Sequence, residues 1–178
     1  MKAGALAAVR ADIEDLNAGV LHALSDAGHA AWARRQWRMD EKSLDVVRRT
    51  TAEQRRRIER CGAPLFKLKV PQAQYERHPA VPTVIGRLHL HALLSAMRVA
   101  LLDEVVATTL FRAPAQAFTR LSTWSVGTMQ RVAYHSPDLV SIRRAGTPAF
   151  WQRLAEGGRV DGPVGEHLVN LLVWMGVD

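Results

Sequence analysis

A chain of 178 residues, 48% hydrophobic and 23% charged, can bury roughly 70% of its unfolded surface and has the composition of a globular rather than a disordered protein. Its single cysteine, Cys61, excludes an internal disulfide framework and a cysteine-rich zinc site built from this chain alone, and suits a reducing cytoplasm. The net charge of +7 is uneven, +5 over residues 1–77 and +2 over residues 78–178, which directs attention to polyanionic partners.

The opening MKAGALAAVRADIEDLN meets Arg10 and Asp12 too early for a signal peptide. Ile13, Leu16, Val20 and Leu24, at three-and-four spacing, predict a long first helix over about residues 7–35. A short helix follows over about 41–49, and Thr51 is placed to cap another over 52–60. Cys61-Gly62-Ala63-Pro64 ends it, and the alternation in PLFKLKV predicts a short strand. PQAQYERHPAVPTVIG, with Pro71, Pro79 and Pro82, predicts a linker.

HALLSAMRVALLDEVVATTLF is the longest apolar stretch, but Arg98, Asp103 and Glu104 leave it short of the ~20 uninterrupted residues of a membrane span. It predicts a second long helix, about 86–112, whose apolar stripe is Leu90, Leu93, Leu94, Met97 and Leu101. Pro114 opens a short helix over 114–121, Ser125 caps one over 126–134, and His135-Ser136-Pro137-Asp138 leads into a strand at DLVSIRR. GTPAFWQRLAEG and GPVGEHLVNLLVWMG predict two further helices, the last either closing a core or docking a partner.

The order of signals occurs twice. LDVVRRTTAEQRRRIERCGAPLFKLK overlies FTRLSTWSVGTMQRVAYHSPDLVSIR without a gap at a shift of 74 residues. Leu44 falls on Phe118, Thr51 on Ser125, Ile58 on Val132, Leu65 on Leu139 and Lys69 on Arg143, and Trp37-Arg38 falls on Phe111-Arg112 outside the stretch that fixed the register. The expected organisation is mostly α, with two tandem units: unit 1 over residues 1–77, a linker over 78–87, and unit 2 over 88–178 with a helical tail.

IEDLNAGVL at residues 13–21, the aromatic-arginine pairs, TMQRVA at 128–133, LVSIRR at 139–144 and RLAEGGRVDGPVGEHLVNLL at 153–172 together resemble FlhD, the D subunit of the bacterial flagellar master transcription regulator. The second unit resembles a whole FlhD chain; the first resembles its N-terminal part. The resemblance implies a cytoplasmic, helical transcription activator that forms dimers and acts on duplex DNA with an FlhC-like subunit, which supplies a cysteine-bound zinc and much of the DNA contact. Two copies in one chain imply packing as a pseudo-dimer, with homo-oligomers open. The family's subunit-linking cysteine has no counterpart, since Lys67 and Ser141 occupy that neighbourhood and Cys61 lies in the preceding turn.

Between Arg48 and Lys69 eight cations, Arg48, Arg49, Arg55, Arg56, Arg57, Arg60, Lys67 and Lys69, face two acids, Glu53 and Glu59. They are the candidate DNA-binding residues, because arginine's planar fork pairs with phosphate oxygens and two short helices joined by a tight turn resemble a helix-turn-helix. A solvated face with Glu–Arg pairs and a protein interface are the alternatives. Where unit 2 has the stripe Val126, Met129 and Val132, unit 1 has Ala52, Arg55 and Ile58, so its third helix is expected to pack less and expose more.

No metal, cofactor or enzymatic site is expected. His89 and His91 point about 200° apart on a helix and are expected at its surface or an interface; Cys61 is expected to be inert or a surface thiol. The five tryptophans, Trp32, Trp37, Trp124, Trp151 and Trp174, are expected to pack in cores or interfaces. The alternative function is an adaptor or anti-activator that binds a regulatory protein and no DNA.

Overall fold

A computed structural model describes residues 3–72 and 79–158. Its elements in chain order are α1 (Ala3–Ser25), α2 (Ala27–Gln36), α3 (Glu41–Arg48), α4 (Ala52–Glu59), β1 (Phe66–Leu68), α5 (Thr83–Leu102), α6 (Glu104–Phe111), α7 (Ala115–Ser122), α8 (Val126–His135), β2 (Val140–Ile142) and α9 (Pro148–Ala155). The fold is mostly helical, with one two-stranded antiparallel sheet among the described residues. The expected helix in GPVGEHLVNLLVWMG and Trp174 lie outside the described residues.

Both long helices are shorter than expected, because an aspartate breaks each one. Asp26 leaves the helical conformation and accepts from Gly28 N at 2.7 Å, capping α2. Asp103 does the same for α6, accepting from Val105 N at 2.9 Å and Val106 N at 3.0 Å. A carboxylate that binds the amides after it starts a new helix where the apolar periodicity alone predicts a continuous one. α5 begins at Thr83, within the stretch 78–87 expected as a linker.

The predicted caps form. Thr51 and Gln54 make a reciprocal capping box, with Gln54 N donating to Thr51 Oγ1 at 3.2 Å and Thr51 N donating to Gln54 Oε1 at 2.9 Å. Ser125 accepts from Thr128 N at 3.2 Å. Trp37 and Phe111 are buried, and the arginine after each, Arg38 or Arg112, takes a left-handed conformation with φ of 54° and 49°. That conformation is costly for a long side chain, and it turns the chain sharply into the next short helix.

α1 packs on α5 and carries α2, α3 and α4; α5 carries α6, α7 and α8; α9 lies across α3 and α4. One continuous core includes Leu16, Leu44 and Phe66 from the first half and Leu93, Phe111 and Trp151 from the second. The expected units thus share a core. Trp37, Trp124 and Trp151 are buried and Trp32 half-buried, as packing tryptophans.

Two expected stripes are corrected. On α5 the buried face is Ile85, Leu88, Ala92, Leu93, Ala96 and Val99, while Leu90, Leu94 and Met97 are partly buried and Leu101 is 74% exposed. On α8 Met129 and Val132 are buried, but Val126, in the first helical position, is 65% exposed. By length and composition α5 passes as a membrane-crossing helix, but half of that stretch is buried in this fold. Arg98, which interrupts its apolar run, binds Asp12 and donates to Ala8 O at 3.2 Å, fastening α5 to α1.

Asn17, fully buried on α1, holds the chain between α4 and β1. Its Nδ2 donates to Glu59 O and Ala63 O, both at 3.0 Å, and its Oδ1 accepts from Leu65 N at 2.8 Å. Asn17→Leu keeps the branching and heavy-atom count but strands three backbone groups, so it is expected to cost about 3 kcal/mol or more in urea unfolding. A loss below about 1 kcal/mol would show that these groups find other partners.

Candidate nucleic-acid interface

The structure divides the eight candidate cations among several settings. Arg48 ends α3 and Arg49 caps it; both are exposed, with Arg49 4.0 Å from Asp45. α4 is seated on α1 and α9 through the fully buried Ile58. At about 100° per residue, its outward arc carries Arg56, Arg60 and Arg57. Glu53 falls within that arc and pairs with Arg57 one turn away. Arg60 lies 3.5 Å from Glu14, which also pairs with Arg10 at 3.0 Å. The arc is therefore a mixed-charge surface, in which exposed pairs contribute little to stability but lower the local potential.

Arg55 departs from expectation. It is half-buried, and its Nη2 donates to Ser25 Oγ at 2.9 Å at the end of α1. Its stem is drawn in with the half-buried side chain while its head hydrogen-bonds. It serves the fold, which leaves Arg56, Arg57 and Arg60 as the outward arginines of α4.

Lys67 and Lys69 stand elsewhere again. Both are exposed, Lys67 on β1 and Lys69 just after it, where the alternation puts Phe66 and Leu68 inward. They line a groove of about 820 Å³ with residues of α7 and α8, and Lys69 lies 3.7 Å from Asp138. Charge clustering along the chain pointed to Lys67 and Lys69 but missed Arg112, Arg120 and Arg131, which share that groove. Those three are separated by eight and eleven residues, so no local charge run marks them.

Among the described residues no group of three or more His, Cys, Asp or Glu side chains is placed to hold a metal ion. Cys61 is buried beside Asn17, and burial pushes its thiol up to about 11, so it is neutral and unreactive at ordinary pH. His89 is not on the surface but fully buried. Its Nδ1 lies 3.0 Å from Ala133 O, an acceptor, so Nδ1 carries the proton and donates. Burial pulls its pKa down to about 4.

Comparison of the chain with family models, curated proteins and solved structures finds no match.

The neutral His89 makes stability depend on pH. The unfolded imidazole takes up a proton near its ordinary value of 6.5, whereas the folded one does so only near 4. Its contribution is fully present above about 6.5 and is lost as pH falls toward 4, by about 3 kcal/mol in total. Urea midpoints of wild type and His89→Gln, measured from neutral pH to about 4.5, are expected to show a smaller loss in the variant. Parallel curves would remove His89 from the acid sensitivity.

Proposed function

We propose that this chain is a tandem FlhD-like transcriptional regulator that binds duplex DNA in the cytoplasm together with an FlhC-like subunit, its two units forming a pseudo-dimer within one polypeptide. The observation that carries this reading is the register of the sheet. Lys67 pairs with Ser141, its own counterpart at the 74-residue shift, and Phe66–Ile142 and Leu68–Val140 are then equivalent pairs. Two copies meeting about a two-fold axis at position 67 would pair in this way.

Other offsets support it. α3 and α7, α4 and α8, and β1 and β2 each begin 74 residues apart. The bonds that extend the ladder, Lys69 N to Leu139 O and Arg143 N to Leu65 O, are both 2.8 Å and exchange roles under the same shift. The carbonyls of Glu59 and Ala133, bound by the buried side chains of Asn17 and His89, also lie 74 residues apart. DNA binding is supported by the net charge of +7 and by the outward cations of α3, α4 and β1.

A second reading, a protein-binding adaptor without DNA contact, is favoured by the exposed apolar side chains Leu101, Leu102, Val105 and Val126. The two readings separate in a salt titration. Duplex binding by the intact chain is expected to weaken with salt at a log–log slope of about −3 to −4, for about four neutralised phosphates. Changing Arg56, Arg57 and Arg60 together to alanine is expected to weaken binding and flatten the slope; no duplex binding even at low salt would favour the adaptor.

The sheet register has its own test. Antiparallel partners that exchange hydrogen bonds have Cα atoms about 5.5 Å apart, within reach of a disulfide. The double variant Lys67→Cys with Ser141→Cys is expected to close an intrachain bridge on mild oxidation, seen as faster migration in non-reducing electrophoresis. Failure to close while both new thiols stay reactive would reject this pairing.

A further inference from the structure

Among the described residues, cations outnumber acids more clearly along the groove beside β1 than on the outward arc of α4. Five cations among the described residues line it, Lys67 from β1, Lys69 just after β1, Arg112 from the turn after α6, Arg120 from α7 and Arg131 from α8, together with one carboxylate, Asp138. On α4, by contrast, Glu53 interrupts the outward arc and Glu14 sits beside Arg60. Among the described residues, cations stand on both walls of the groove.

Its construction also suits an anion. Val132 and Leu139, both buried, also line it, so part of the wall is apolar, and low-dielectric walls strengthen the field of the cations around them. Arg120 is half-buried, and its Nη1 donates to Pro71 O at 2.9 Å, which fixes the guanidinium against the strand exit rather than leaving it in solvent. Arg112 takes a left-handed conformation, φ 49°, at the corner where α6 turns into α7, and its side chain lines the groove from there. At about 820 Å³ the groove matches ordinary ligand sites of about 300–1,000 Å³ and is of a size for a short run of sugar and phosphate.

We propose that this groove binds phosphate-ester oxygens, with Lys67, Lys69, Arg112, Arg120 and Arg131 as their partners. Resting on the regulator reading above, the ester is the sugar–phosphate backbone of DNA, and a free phosphorylated molecule is the other source of the same chemistry. Arginine forks bind phosphate oxygens in pairs and fix the strand's direction; the lysines act as point charges along it. Contacts of this kind position the protein on DNA and carry no sequence information.

The test uses the intact chain and two probes, a fluorescein-labelled DNA duplex followed by anisotropy from about 50 to about 200 mM salt, and inorganic tripolyphosphate followed by calorimetry. The groove variant is Lys67→Glu with Arg131→Glu, both exposed positions; Lys67→Gln with Arg131→Gln is the milder companion if charge reversal disturbs folding. The groove variant is expected to bind duplex at least about ten-fold more weakly and to flatten the salt slope by about 1.8, two phosphates' worth. Normal duplex and tripolyphosphate binding by folded groove variants would overturn the proposal, whatever the Arg56, Arg57 and Arg60 variant does. If wild type binds tripolyphosphate through the groove but no duplex, the groove stands with a free phosphorylated ligand and the regulator reading fails. Binding of neither probe by wild type would overturn the groove as well.

Discussion

The backbone ladder between Phe66–Leu68 and Val140–Ile142 is the interaction on which the rest of the molecule depends. Each strand has only three residues and could not persist as an isolated pair in water. It persists because both strands bury alternate side chains in a core that the helices of both halves complete. Beneath the ladder the buried Arg143 donates from Nε to Phe66 O at 3.1 Å and from Nη2 to Leu110 O, so β1, β2 and α6 are joined by one charged group. A cation is tolerated there because carbonyl oxygens replace its water.

The buried polar groups around the ladder have a common task. Asn17 and His89 reach from the two long helices to backbone carbonyls in the last turns of α4 and α8, the helices that lead into the strands. Each fixes the exit of a helix, where orphan carbonyls otherwise need water. The two solutions differ chemically. Asn17 satisfies several groups at once and is indifferent to pH, whereas His89 leaves Nε2 without a partner and has to remain neutral. Of these two buried anchors, His89 is therefore the acid-sensitive one.

The charge pattern has a similar split. Lys69 and Arg143 stand 74 residues apart, yet one is exposed beside Asp138 and the other is buried. Arg55 and Met129 are likewise 74 residues apart, and both are drawn against their neighbours, one ending in a hydrogen bond to Ser25 and the other buried and apolar. Cationic residues adjacent in sequence are thus dispersed over separate surfaces, while Arg112, Arg120 and Arg131, far apart in sequence, meet Lys67 and Lys69 across one groove. The basic cluster of the sequence is real as composition but does not correspond to one surface.

Local structure was legible in the sequence wherever the signal lies within a few residues of its effect. Thr51 and Ser125 cap the helices they were expected to cap, the alternation in PLFKLKV and DLVSIRR gives inward and outward faces, and GTPAFWQRLAEG contains α9. These outcomes depend on hydrogen bonds and side-chain directions that neighbouring residues set. The breaks at Asp26 and Asp103 were missed because a capping carboxylate competes with an apolar periodicity that continues past it. Only the tertiary structure decided that Leu101 and Val126 face solvent, that Arg55 and Arg143 serve the fold, and which cations share a groove. Burial and electrostatic surroundings depend on what packs from tens of residues away, and no local pattern in the chain records that arrangement.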